Sequence, residues 1–268
     1  MGFIAILSLL AWAFGYFGMP HIVVRYMSIR NPKEVKVARR VSLVWIIIAL
    51  TFAILVGVVG RGYLMIEHPE MLAEGSTFNA EHIFVFLSGD LFPSLVAGIL
   101  YAAIMAAIMS TADSQLLVAS SSITNDILSK TKWAEKQENL DNKLMWIARG
   151  IVIAVAIFAI ILALYGGDSI MGLVSYAWAG FGAAFGPLMI LSLYWKRMNI
   201  QGAIAAMLVG FLTVILWNTF LGSTGIYELL PGFIFSLIAG IVVSLATKAP
   251  PEEIVETFEK AESLVKES

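Results

Sequence analysis

The sequence predicts an all-α integral membrane protein with seven transmembrane helices, and three observations support this. Apolar residues make up 59% of the 268 residues and charged residues only 13%, against roughly a quarter in soluble domains. The mean hydropathy is +0.86. Finally, the chain contains apolar windows long enough to cross the roughly 30 Å hydrocarbon core. They lie at 3–26, 41–60, 93–126, 145–165, 170–195, 201–221 and 229–247.

The basic residues indicate how the chain crosses the membrane. Of the 17 Lys and Arg residues, all except Arg61 follow the first, third, fifth or seventh span. The connection 61–92 carries Arg61 and is otherwise acidic. The positive-inside rule therefore places the start of the chain outside and the C-terminal tail in the cytoplasm.

The first span carries an unusual combination of helix breakers and aromatic residues. Gly15 and Gly18 weaken the helix, and Pro20 removes one of its hydrogen bonds, which predicts a break near the middle. Trp12, Tyr16 and Pro20 recur every four residues, so helical geometry puts them on one face. That face either lines a pocket beside freed backbone groups or is an ordinary packed aromatic stripe.

The third span runs from an apolar stretch directly into polar residues. If residues 93–126 are all helical, the element is about 51 Å long at 1.5 Å per residue, with Ser110 at its midpoint. Ser110 and Thr111 offer hydroxyl oxygens to a hard cation such as sodium. The competing interpretation is that both hydroxyls bond back to the preceding turn. Asp113 would be costly against lipid, which favours a partner, water or an ion pathway.

Three further segments have local signatures. The apolar patch 82–87, preceded by the cap residue Asn79, predicts a short helix over the outer mouth. The charged tail from Pro250 onward predicts an amphipathic helix. In residues 172–187, small residues at helical spacing, among them Gly180, Gly182 and Gly186, predict close helix packing.

Several classes of function are disfavoured. The chain has no cysteine, which excludes disulfides and thiolate metal sites. No nucleophile, base and orienting group fall together, so we do not expect an enzyme. We also expect no nucleic-acid partner.

Four runs of residues resemble the sodium/solute symporter family: 7–22, 106–117, 173–187 and 225–233. They follow the family's order and spacing, and the similarity extends to about Lys248. The resemblance implies a thirteen-helix transporter of the leucine-transporter type, in which this chain matches the seventh to thirteenth helices. Residues 1–195 would form the second inverted five-helix repeat, 196–248 two peripheral helices and 249–268 a cytoplasmic tail.

The resemblance also implies site residues. Trp12, Tyr16 and Pro20 match the family's proline-site positions, and Ala107, Ser110 and Thr111 match its sodium-site positions. The expected activity is sodium-coupled uptake of L-proline across the plasma (inner) membrane, with sodium as coupling ion and no other cofactor. The expected partners are the lipid bilayer and the missing N-terminal helices.

Two alternatives stay open at this point. One is a sibling symporter for pantothenate or another small solute. The compounds that compete for uptake would distinguish it from a proline symporter. The other is a membrane sensor or scaffold without transport activity. A fused signalling domain would mark the second, whereas the tail after Lys248 has only about 20 residues, short for a domain.

The predicted orientation can be tested by labelling, because the chain has no native cysteine. A cysteine at Ser76, in the outer connection, should react with an impermeant thiol reagent added to intact cells, whereas one at Ser129 should react only after lysis. Labelling of the Ser129→Cys variant in intact cells would contradict the orientation.

Overall fold

The computed structural model describes residues 2–137, 139–165 and 169–266, and within them it is helical with no strand. The prediction of an all-α protein is confirmed. The α-helices of this described part are α1 Phe3–Gly15, α2 Pro20–Met27, α3 Pro32–Glu67, α4 Ile83–Leu91, α5 Ser94–Ser121, α6 Leu140–Tyr165, α7 Ile170–Tyr194, α8 Ile200–Leu221, α9 Leu229–Ala246 and α10 Glu252–Lys266.

Six helices of the described residues, α3 and α5 to α9, are long and apolar enough to cross a membrane. The pair α1 and α2 passes the same test together but is bent by 45°. The described chain therefore has six candidate spans, or up to seven if the bent pair is one span. The predicted break in the first span is confirmed, while the count of seven stays a prediction.

The chain divides into two compact units. The first consists of Met1–Lys33 and Gly167–Ser268, and the second of Glu34–Gly166. In the first unit α7, α8 and α9 pack on one another, and α1 packs on α7 and α9. In the second unit α5 packs on α6 and on the short α4. The predicted division at residues 195 and 248 follows repeat architecture and stays a prediction.

Small residues hold α7, α8 and α9 close together. Ala179, Ala183, Val214 and Leu229 form the buried centre of this packing. A Cβ added at Gly210 would lie 2.2 Å from the backbone oxygen of Ala183, so the two helix backbones meet there without side chains between them.

The predicted role of small residues in helix packing is thus correct for most of the segment. Added Cβ atoms at Gly182 and Gly186 would also meet neighbouring atoms at 2.8 and 2.7 Å. The packing prediction is wrong for Gly180, because a Cβ added there would meet no atom within 4 Å. Gly180 instead lines an apolar groove between α7 and α8.

The ends of α7, α8, α9 and α10 meet in a hydrogen-bonded corner. Arg197 donates to the carbonyl of Thr247 at 2.7 Å, and the side-chain nitrogen of Asn199 donates to that of Lys248 at 2.7 Å. Lys196 pairs with Glu259 of α10 at 2.8 Å. Because these groups touch, the basic residues at 196–197 and 248 lie at one end of the unit, as the positive-inside interpretation requires. The predicted amphipathic tail helix is present as α10.

The connection 61–92 also contains the predicted short helix, α4. Asn79 accepts a hydrogen bond from the amide of Glu81 at 2.9 Å and so caps the turn that leads into α4. The hydroxyl of Tyr101 on α5 donates to the carbonyl of Val85 at 3.2 Å, which ties α4 to α5. Placement of this helix over an outer mouth stays a prediction.

The third span is helical as predicted, but its last turns are wider than an α-helix. Beyond Ser121 the chain continues as a π-helical segment, Ser122–Ile127. The hydroxyl of Thr124 donates to the carbonyl of Ser120 at 2.8 Å and competes there with the backbone amide.

The close approach of α7 and α8 predicts a specific sensitivity. Gly210→Ala should destabilise the protein by about 1–3 kcal/mol, because its methyl would overlap the Ala183 carbonyl. Thermal unfolding of purified protein in detergent measures this effect. Gly180→Ala is the matched control on α7, since its methyl enters open space. Equal melting temperatures for both variants would contradict the packing.

Candidate functional site

The break in the first span is built from a helix end, a short turn and a new helix start. α1 ends at Gly15, and the amide of Gly18 then donates to the carbonyl of Gly15 at 3.0 Å. Pro20 is the first residue of α2, where its fixed φ suits a helix start and its missing N–H costs nothing. The sequence thus ends one helix and starts another within five residues.

Helix α7 packs directly against this break. A Cβ added at Gly15 would lie 1.9 Å from the indole nitrogen of Trp178, and one added at Gly18 would lie 2.4 Å from the carbonyl oxygen of Phe181. Side chains at either position would push α7 away. The two glycines are therefore needed for contact as well as for the turn.

Four aromatic rings gather beside the break. Trp12 stacks on Trp178 with ring centroids 5.3 Å apart and on Tyr227 at 6.2 Å. Tyr16 meets Trp178 edge to face at 4.9 Å. The side chain of Tyr16 stays exposed, at 56% of its surface, whereas Trp12 and Trp178 are half-buried.

The structure corrects the idea that Trp12, Tyr16 and Pro20 share one helical face. Trp12 and Tyr16 do meet the same ring, that of Trp178. The helix is interrupted between Tyr16 and Pro20, so the four-residue spacing no longer determines direction there. Pro20 lies across the break, at the start of α2.

Tyr227 is anchored at both its backbone and its side chain. Its amide donates to the hydroxyl of Ser8 at 3.1 Å, and its own hydroxyl donates to the carbonyl of Ser175 at 2.6 Å. Burial raises the pKa of the Tyr227 hydroxyl far above its usual range, with a smaller contribution from Glu228. The hydroxyl therefore stays protonated as a donor, and the ring is fixed against Trp12.

The predicted ion ligands lie on α5, in the second unit. Ala107, Ser110 and Thr111 are all exposed, as is Asp113. The hydroxyl of Thr111 donates to the carbonyl of Ala107 at 3.2 Å, which is the back-bonded arrangement. A back-bonded hydroxyl uses its hydrogen and keeps oxygen lone pairs, so this geometry leaves Thr111 able to bind a cation.

Sequence reasoning missed Trp178 and Tyr227. Trp178 lies in the run 172–187, which was interpreted as a packing segment, and Tyr227 lies in the run 225–233, which was noted only for its family resemblance. Each lies more than 160 residues from Trp12 in the chain, so no local spacing links them to the break. One signal was available: Trp178 is a large side chain among small residues, in a span that was expected to pack closely against other helices.

A second polar cluster lies in the connection 61–92. The hydroxyl of Tyr63 donates to Asp90 at 2.7 Å, and one ring nitrogen of His68 lies 3.3 Å from the same carboxylate oxygen. The other ring nitrogen of His68 lies 3.3 Å from Glu70. The Tyr63 hydroxyl is the main cause that holds the pKa of Asp90 below its ordinary value, and His68 adds to the effect.

A helix broken inside an apolar span, with aromatic rings and freed backbone groups beside it, is typical of secondary transporters. The sequence profile described as "Sodium:solute symporter family" matches residues 2–210. The chain belongs to this family.

Curated relatives agree with that assignment. The chain is 45% identical to the osmoregulated proline transporter OpuE of Bacillus subtilis, over 98% of this chain and 52% of the relative. It is also 45% identical to the sodium/proline symporter of Escherichia coli, over 98% of this chain and 51% of the relative. The chain thus spans about half the length of these relatives. No solved structure matches it significantly.

The cluster of Tyr63, His68 and Asp90 predicts a pH dependence. Because the folded pKa of Asp90 is depressed, its stabilising effect is present above the unfolded value and is lost as pH falls through the folded pKa. Tyr63→Phe should move that loss to higher pH. The measurement is protease protection of the connection 61–92 in purified protein between pH 7 and pH 3.

Tyr101→Phe is the control for this prediction, because its hydroxyl bonds a carbonyl and not a carboxylate. It should weaken protection without moving the pH midpoint. Identical midpoints for wild type and Tyr63→Phe would contradict the role of the Tyr63 hydroxyl.

Proposed function

We propose that this chain is the C-terminal half of a sodium-coupled L-proline importer of the plasma membrane. The observation that carries the proposal is 45% identity, over 98% of the chain, to a protein named sodium/proline symporter. The helix break supports it independently, because it places backbone groups and aromatic rings together in an apolar span.

The break suits proline chemically. Proline is a zwitterion with an apolar ring, so a site must offer polar groups to its charged ends and apolar surface to its ring. Backbone groups freed between Gly15 and Pro20 supply the first. Trp12 and Tyr16 supply the second, and the exposure of Tyr16 leaves its ring free to cover a ligand. Pro20 would line the site from the α2 side.

The residues on α5 suit sodium. The carbonyl of Ala107 and the hydroxyls of Ser110 and Thr111 are neutral oxygens, which a hard cation prefers. Their exposure leaves room for further ligands from the half of the transporter that this chain does not contain. Asp113, one turn beyond Ser110, would attract the ion along its path.

Linkage between the two sites would couple proline uptake to sodium entry, and the sodium gradient would supply the work. Sodium bound in the outward-open state raises the affinity for proline, and proline raises the affinity for sodium by the same factor. One sodium ion entering across about 100 mV releases about 2.3 kcal/mol. At about 1.4 kcal/mol per tenfold ratio, that work supports roughly 50-fold accumulation of proline before any concentration gradient is counted.

The architecture proposed with this function has seven spans and a cytoplasmic C-terminus. Residues 1–195 form one inverted repeat, 196–248 two peripheral helices and 249–268 the tail. The chain spans about half the length of each of these relatives, which leaves length for six further helices in the whole transporter. Alternating access needs two repeats that move around a shared site, so both halves are required for transport.

A chimera tests the proposal. This chain replaces the matching segment of the Escherichia coli symporter in a strain that lacks proline transport. We expect sodium-dependent uptake of labelled L-proline that pantothenate does not inhibit, and no uptake by the chain alone. Thr111→Ala in the chimera should raise the sodium concentration for half-maximal uptake about tenfold, equivalent to about 1.4 kcal/mol for one lost ligand.

Thr219→Ala is the matched control for the sodium effect. The hydroxyl of Thr219 donates to the carbonyl of Ile215 four residues earlier, as that of Thr111 does to Ala107. Loss of back-bonding alone should therefore act equally in both variants. Equal sodium dependence of the two variants would refute the role of Thr111. Sodium-independent uptake of proline by the chimera would refute the proposed function.

A further inference from the structure

We infer that Trp178 is a positioning residue for the substrate site, and that its indole N–H holds the helix break in shape. The inference deepens the proposed function and rests on it for the identity of the substrate. It concerns a residue on α7, outside the broken helix that the sequence singled out.

The first step is the hydrogen bond from the indole to the break. The indole nitrogen of Trp178 donates to the carbonyl oxygen of Trp12 at 3.0 Å. Trp12 begins the last four residues of α1, whose carbonyls lack partners within the helix. In an apolar span such a carbonyl has no water to bond, so a donor from a neighbouring helix is needed.

The second step is the position of the ring. The Trp178 indole stacks on Trp12 at 21° and meets Tyr16 at 81°. One side chain therefore fixes both rings that we propose to cover proline. Tyr227 restrains Trp12 through a further stacking contact.

The third step is the match between positions 15 and 178. An added Cβ at Gly15 would overlap the indole nitrogen, at 1.9 Å. The indole can reach the Trp12 carbonyl only because residue 15 has no side chain. The glycine at the break therefore provides the space that the indole of Trp178 occupies.

The chain offers a matched comparison for this bond. The indole of Trp217 donates to the carbonyl of Ile226 at 3.2 Å in the same unit, where α8 leads into α9. Both bonds join an indole to a backbone carbonyl, and both indoles are half-buried. Only the bond from Trp178 ends at the helix break.

The first experiment measures transport kinetics in the chimera described above. Trp178→Phe keeps an aromatic ring and removes the N–H donor. We expect the KM for L-proline to rise about tenfold, the maximal rate to stay within twofold and the sodium dependence to change less than threefold. Trp217→Phe should leave all three within twofold of wild type. An unchanged KM for Trp178→Phe, or a loss confined to the maximal rate, would overturn the inference.

The second experiment needs no substrate. Hydrogen exchange of the peptide 12–19, measured by mass spectrometry on the purified 268-residue chain in detergent, reports on the break itself. Exchange should be several-fold faster in Trp178→Phe than in wild type or Trp217→Phe. Equal exchange in all three would overturn the inference, and a raised KM with equal exchange would show that Trp178 contacts the substrate directly.

The two experiments separate the inference from the proposed function. If the wild-type chimera shows no sodium-dependent proline uptake, the proposed function fails. Exchange at the break still decides whether Trp178 holds it in shape.

Discussion

The first unit depends on satisfying the backbone groups exposed by the break between Gly15 and Pro20. Each unpaired polar group in hydrocarbon costs several kcal/mol, so an interrupted helix survives in a span only where neighbours supply partners. Helix α7 supplies such a partner through the indole of Trp178, and it can lie this near because its backbone passes close to Gly18. The small residues of α7 follow from that requirement, since a bulkier helix would be held away from the break.

The close packing extends from α7 to α8 and α9. Gly210 lets α8 meet the backbone of α7, and the hydroxyl of Ser236 on α9 donates to the carbonyl of Ala206 on α8 at 2.8 Å. These helices form a dense support for the broken helix. The spans of the second unit are packed differently: α3 and α6 expose most of their apolar side chains, the surface expected for helices that face lipid or other helices.

How much of this follows from sequence depends on the range of each interaction. The sequence predicts the break at Pro20, the short helix after Asn79 and the amphipathic tail, because each depends on residues within one or two turns of each other. The stacking of Trp12 on Trp178 joins residues 166 positions apart, so no periodicity contains it. The common face for Trp12, Tyr16 and Pro20 is wrong for a physical reason: the break that makes the segment interesting also ends the helical periodicity on which the prediction relied.

For the predicted ion ligands, the sequence did not decide between two interpretations. Spacing alone left two interpretations for Ser110 and Thr111, and the structure shows Thr111 back-bonded while its lone pairs stay available. Membership in the sodium:solute symporter family favours the interpretation of these residues as sodium ligands.

The most direct test of the account is a cryo-electron microscopy map of the chimera with sodium and L-proline, compared with a map without them. We expect a break between Gly15 and Pro20 in both maps. In the map with ligands, we expect proline density beside the break, against the rings of Trp12 and Tyr16. A helix that runs unbroken through residues 15–20, or proline density away from these rings, would contradict this expectation.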